Sequence, residues 1–122
     1  MKKVFVAIML VVLVACNGES GKPNSGFVAP AAAWQQINAG ALLLDVRSAG
    51  EYAQGHIEGA INIPHTELAS RLGELDSNKD RPVVVYCAAG VRAEKAKQVL
   101  VNAGYQNVYN ARGYSDLLSS KP

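Results

Sequence analysis

A single α/β domain built on a central, mostly parallel sheet is what this sequence predicts, and two observations carry it. Short apolar, β-branched runs alternate along the chain with segments of helical spacing, the pattern of strands buried on both faces beneath crossover helices. The run Val83-Val84-Val85-Tyr86-Cys87-Ala88-Ala89-Gly90-Val91-Arg92 then ends such a strand on a cysteine and leads through a small-residue loop into a helix. In open sheets of this class, ligands gather beyond the carboxyl ends of the strands.

The elements follow in order. Phe27-Val28 reads as a short edge strand, which with four others makes a sheet of about five strands in a three-layer α/β/α arrangement. A helix is expected from near Pro30, with Ala33, Trp34 and Ile37 inward and Gly40 as its stop, because proline suits the first helical turn and glycine the residue after the last. Ala41 to Val46 is a buried strand that delivers Asp45 and Arg47 to its carboxyl end. Ser48 and Glu51 stand at capping-box spacing, so a short helix should run through Gln54 until Gly55 ends it.

Ala60 to Ile63 is the third strand, Pro64 closes it, and a helix is expected over about Thr66 to Leu75. Asp76-Ser77-Asn78-Lys79-Asp80 is turn chemistry. Val83 to Tyr86 is a β-branched run typical of a strand buried on both faces, and a helix from about Arg92 to Ala103 buries Ala96, Val99, Leu100 and Ala103 before Gly104. Asn107 to Tyr109 is a last strand, and a short helix opens near Gly113-Tyr114.

The first residues read differently. Lys2 and Lys3 precede an apolar run from Val4 to Val14, the layout of a secretory signal rather than of a membrane span, which needs about 20 apolar residues. Leu13-Val14-Ala15-Cys16 resembles the bacterial lipobox, which implies that residues 1–15 are removed and Cys16 is lipidated. Asn17 follows where an aspartate would favour the inner membrane, so the expected location is the cell envelope: anchored to the outer membrane, facing the periplasm. Residues 16–26 then form a polar, flexible tether reaching roughly 15–20 Å. Residues 27–122 are the folded domain.

Composition excludes several classes of partner. The chain has 12 basic and 10 acidic side chains, and loss of Lys2 and Lys3 would balance them. No basic stripe suggests nucleic acid, and membrane contact is expected through the lipid alone. His56 and His65 have no further ligands at metal spacing, so no metal and no cofactor are expected. With Cys16 lipidated, Cys87 has no disulfide partner within the chain, and a lone thiol in an oxidising compartment is either buried and inert or kept for its reactivity. Its place at a strand end, before loop amides and a helix N-terminus that favour an anion, argues for reactivity.

Leu44-Asp45-Val46-Arg47, Glu51-Tyr52, Gly55-His56-Ile57-Glu58-Gly59-Ala60-Ile61-Asn62-Ile63-Pro64 and Tyr86-Cys87-Ala88-Ala89-Gly90-Val91-Arg92 together resemble the single-domain rhodanese family, most closely its exported phage-shock type. The resemblance implies a rhodanese-like fold and a thiosulfate sulfurtransferase. Cys87 would take sulfur from a small sulfur-containing anion such as thiosulfate, hold it as a persulfide, and pass it to cyanide or a thiol, a thioredoxin-like protein being one candidate acceptor.

Related phosphatases and arsenate reductases carry five residues between cysteine and arginine, whereas four separate Cys87 from Arg92. That tighter loop suits a sulfur atom better than a phosphate group. A papain-like hydrolase is disfavoured, since both histidines precede Cys87 and neither has an evident orienting partner. The competing class is a non-enzymatic sulfur or redox carrier that docks on a protein.

Within the loop, Ala88 and Ala89 add little bulk, Gly90 supplies a backbone angle or a close approach, and Val91 is expected to pack. Arg92 is a cation in a first helical turn, against the dipole, so an anion such as the donor or the persulfide should compensate it. Asp45 is expected to hydrogen-bond loop amides, and Arg47 to pair with Glu51 four residues on. His56 is read as packing and hydrogen-bonding, His65 as exposed. Arg112 stands where many rhodaneses have a glycine and is a further candidate at the mouth of the site.

Overall fold

The computed structural model describes residues 23, 24 and 26–122. The expected signal segment, the lipidation site Cys16 and most of the tether lie outside the described residues. Helix α1 (Pro30–Asn38), strand β1 (Leu42–Asp45), helix α2 (Ala49–Gln54), strand β2 (Ile61–Asn62), strand β3 (Val83–Cys87), helix α3 (Val91–Asn102), strand β4 (Val108–Gly113) and helix α4 (Tyr114–Ser119) follow in order. The sheet is parallel throughout, in the order β2-β1-β3-β4. Phe27 adds an isolated parallel bridge to Asn110 rather than a fifth full strand.

Side chains of β3 alternate between two cores, as a pleated strand requires. Val83, Val85 and Cys87 pack with Ala93, Ala96 and Leu100 of α3 and with Leu68 and Leu75. Val84 and Tyr86 pack on the other face with Ala33 and Trp34 of α1 and Leu117 of α4. Helices therefore cover both faces, giving the three expected layers. Trp34 Nε1 donates to the Leu117 carbonyl at 2.8 Å, tying α1 to α4.

The helix expected over Thr66 to Leu75 is instead two 3₁₀ turns, Leu68–Ser70 and Leu72–Glu74. Ser70 Oγ donates to the Glu67 carbonyl, the carbonyl that also accepts the Ser70 N–H, and Gly73 has low helix propensity. The bonds that form are i to i+3, among them Arg71 N–H to Leu68 O and Glu74 N–H to Arg71 O.

Strand β4 runs further than the expected Asn107 to Tyr109, because the buried polar Asn110 is fully partnered and does not end it. The third strand is shorter than expected, although Ile63 N–H still donates to Asp45 O. The segment before Phe27 is also held: Asn24 exchanges backbone and side-chain hydrogen bonds with Val108 and Gln106. These bonds attach Asn24 to the start of β4.

Candidate active site around Cys87

The alternation that builds the two cores also places Cys87, the last residue of β3, on the α3 face, only 1% exposed. The chain turns through exposed Ala88 and Ala89 and reaches Gly90, the N-cap of α3, at φ +103°. From there the Gly90 N–H points back and donates to Cys87 Sγ at 2.9 Å. That left-handed angle is why glycine stands there, and a Cβ at Gly90 would also lie 3.0 Å from the Phe27 ring. A backbone donor and the N-terminal end of a twelve-residue helix thus converge on the sulfur.

The loop is seated on β4. Between Val85 and Cys87 the pairing with β4 slips, so that Val85 faces Asn110 and Cys87 faces Gly113. The additional residue is taken up at a bulge where Arg112 adopts φ +66°. Gly113 backs directly onto the loop: a Cβ there would lie 2.5 Å from the Ala88 carbonyl oxygen. Asn110, wholly buried, donates to Gly90 O at 3.2 Å and to Glu94 Oε2 at 3.1 Å, and accepts the Arg112 N–H at 2.9 Å. Lys97 on α3, also buried, completes this layer by pairing with Glu94 at 3.3 Å. Neither Asn110 nor Lys97 is distinguished by the sequence, where Asn110 falls just past the expected last strand and Lys97 is one charged residue within the expected helix.

Arg92 has its anion within the chain. Its Nη1 and Nη2 donate to Glu51 Oε1 at 2.6 Å and Oε2 at 3.0 Å. The hydrogen bonds from Arg92 hold the Glu51 carboxyl well below the usual carboxylate range, at about 2. Glu51 also closes the expected capping box of α2 with Ser48. The expected Arg47–Glu51 pair is therefore replaced, because Glu51 is spent on Ser48 and Arg92.

Arg47 pairs instead with Asp45. Its Nε lies 3.0 and 3.1 Å from the two Asp45 oxygens and its Nη2 2.7 Å from Oδ2. Asp45 Oδ1 also accepts the Arg47 N–H at 2.9 Å, so that carboxylate serves Arg47 rather than the Cys87 loop as expected. Arg47 Nη2 donates further to Gly55 O, and its guanidinium lies 4.4 Å from the Tyr114 ring centroid.

Val91, expected to pack, is 67% exposed, since the α3 face that meets the sheet carries Ala93, Ala96 and Leu100. His56 stacks on Tyr52 at 3.6 Å between ring centroids, a packing role as expected, whereas His65 is half-buried rather than exposed. Arg112 lies with its guanidinium 4.6 Å from the Phe27 ring centroid. It lines a surface cavity of about 310 Å³ with Phe27, Pro30, Ala111 and Asp116, and Cys87 is not part of that lining.

The structure is thus an α/β domain with a parallel sheet between helices, and it presents a cysteine at a strand end under a short loop that opens a helix. The Rhodanese-like domain family model matches residues 29–116, and the chain belongs to the rhodanese family. Thiosulfate sulfurtransferase PspE of Escherichia coli is 41% identical over 78 residues, 64% of this chain and 75% of that protein. The tRNA uridine(34) hydroxylase of Photorhabdus laumondii is 38% identical over 80 residues. The match takes in 62% of this chain but only 23% of the hydroxylase.

Solved structures agree. An Escherichia coli rhodanese with anions superposes with a TM-score of 0.61 at 40% identity, covering 66% of this chain and 93% of that one. The human single-domain sulfurtransferase TSTD1 superposes with a TM-score of 0.67 at 28% identity, covering 80% and 99%.

Proposed function

We propose that this protein is a sulfurtransferase that carries sulfane sulfur on Cys87. The observation that carries the reading is the Gly90 N–H aimed at Cys87 Sγ from the N-terminus of α3. In the first half-reaction the Cys87 thiolate attacks the outer sulfur of a donor such as thiosulfate. The Sγ–S bond forms, the donor's S–S bond breaks, and sulfite leaves with the electron pair. In the second, cyanide or a thiolate attacks the terminal persulfide sulfur, and the bonding pair returns to Sγ as thiolate, releasing thiocyanate or a new persulfide. Sγ begins and ends each half-reaction beside the same preorganised donor, so one site serves thiolate and persulfide alike. Arg92 is the loop's cation and the group proposed to meet the donor anion; the amides of Ala88 to Arg92 complete the cradle.

Burial of Cys87 restricts reactants to those that reach a recessed sulfur past Ala88 and Ala89: a narrow anion, or a thiol on a slender arm. Similarity to a thiosulfate sulfurtransferase supports the choice of donor. Lipidation at Cys16 and anchoring to the outer membrane, facing the periplasm, belong to the same proposal and rest on Leu13-Val14-Ala15-Cys16. Loss of lipid labelling in Cys16→Ser tests that part, and unchanged labelling refutes it.

Intact-mass analysis after thiosulfate treatment tests the chemistry: one added sulfur on wild type and none on Cys87→Ser. Thiosulfate:cyanide turnover retained in Cys87→Ser would refute the proposal. A persulfide that forms but turns over only on a protein partner would instead identify a carrier.

A further inference from the structure

We propose that Glu51 determines donor specificity: its carboxylate occupies the edge of the Arg92 guanidinium that an anionic donor would take, and so discriminates against donors of higher negative charge. The inference rests on the sulfur-transfer reading above. Ala88, Ala89, Gly90 and Val91 carry no charge, so Arg92 is the loop's own cation, and Glu51 already answers it through two short bonds. Asp45 and Arg47 neutralise one another in the same way. A donor approaching Cys87 therefore meets a loop whose formal charge is balanced.

Glu51 is well fixed as a competitor. It arrives from α2, 41 residues away in sequence, and its Oε1 also accepts from the Ser48 N–H at 3.2 Å and the Ser48 hydroxyl at 3.0 Å. Its low pKa keeps it ionised at any pH where the protein would work. The pair is nonetheless reachable, with about a third of each side chain exposed. A dianion sharing Arg92 with this carboxylate meets like-charge repulsion, and a monoanion meets about half of it.

Steady-state assays with cyanide as acceptor, comparing thiosulfate, a dianion, with benzenethiosulfonate, a monoanion, test the idea on wild type, Glu51→Gln, Arg92→Gln and the double variant. Glutamine retains an acceptor for Ser48, so α2 keeps its cap, and thermal melts verify the fold. Glu51→Gln should lower the thiosulfate KM by about three- to fivefold and the benzenethiosulfonate KM less than about twofold, as expected for a partly exposed charge. The gain should vanish in the Arg92→Gln background. A thiosulfate KM unmoved or raised in Glu51→Gln, or an equal fall for both donors, overturns the inference while leaving sulfur transfer standing if wild-type Cys87 still gains a sulfur. If neither donor loads wild-type Cys87, the sulfur-transfer reading fails and takes this inference with it.

Discussion

Asn110 Nδ2 donates to the carbonyl of Gly90 across 20 residues of sequence, and the N–H of that same Gly90 donates to Cys87 Sγ. One buried carboxamide on β4 thus fixes the residue that presents a donor to the thiol. Its oxygen meanwhile holds the Arg112 N–H at the bulge, and its nitrogen reaches Glu94 on α3. Strand, loop and helix meet at this side chain.

Replacing Asn110 by alanine leaves the Arg112 N–H without its partner and Gly90 O with only its helical bond to the Glu94 N–H. The expected loss of stability is about 2 kcal/mol, the scale for orphaning buried polar groups. Urea denaturation should show it. The rate of Cys87 alkylation at a fixed pH should change as well, because Gly90, whose N–H donates to the sulfur, is no longer held. A stable Asn110→Ala protein with an unchanged alkylation rate would contradict this account of the network.

Gly113→Ala should separate loop position from global stability. The added methyl would lie 2.5 Å from Ala88 O, and since the contact is backbone, the loop must move to relieve it. Overpacking of this kind costs about 1–3 kcal/mol, which leaves a typical domain folded. Sulfur transfer, if it proceeds on Cys87, should fall at least about tenfold, as positioning arguments predict for an ångström-scale displacement. Wild-type rates in a folded Gly113→Ala protein would show that the loop tolerates the shift.

Asp45→Asn tests the other ion pair. The Arg47 side chain is only 7% exposed and that of Asp45 not at all, so neutralising the carboxylate strands a buried cation. Such a break costs about 3–5 kcal/mol. Replacing both partners together, Asp45→Leu with Arg47→Met, should cost less than Asp45→Asn alone, because no charge is then left unpaired. Denaturation curves of the two variants decide it, and a double variant less stable than the single would refute the account.

The elements that build the sheet were legible because local signals agreed with the tertiary structure. Val83 to Tyr86 is a β-branched run typical of a buried strand and forms one, and Ser48 with Glu51 forms the capping box its spacing announces. Cys87 stood out for its place at a strand end. What sequence could not show were choices among partners. Arg47 had carboxylates two and four residues away, and Glu51 was a helical neighbour for Arg47 yet lies against Arg92, 41 residues on. Lys97 and Asn110 carry no signal of burial, since a polar residue is read as exposed until the fold supplies its bonds. The Thr66 to Leu75 segment failed for a local reason: its apolar spacing suited a helix, but Ser70 and Gly73 did not.

Acid stability should report the Glu51–Arg92 pair. Held at about 2 by its bonds from Arg92, Glu51 has a folded-state pKa below the value of about 4.3 for an unfolded chain. A depressed carboxylate contributes stability that is fully present above the unfolded value and lost as pH falls through the folded one. The contribution should therefore disappear between about pH 4.5 and pH 2. Because the pair is partly exposed, its size should stay within about 1 kcal/mol. Glu74, Asp76 and Glu94 also have lowered pKa values, so wild type alone cannot isolate Glu51. Stability measured from pH 6 to pH 2 on wild type and Glu51→Gln should show curves separated at the high end that converge toward pH 2, most clearly at low salt. Curves that remain parallel through that window would mean that the carboxylate is not what holds Arg92 in solution.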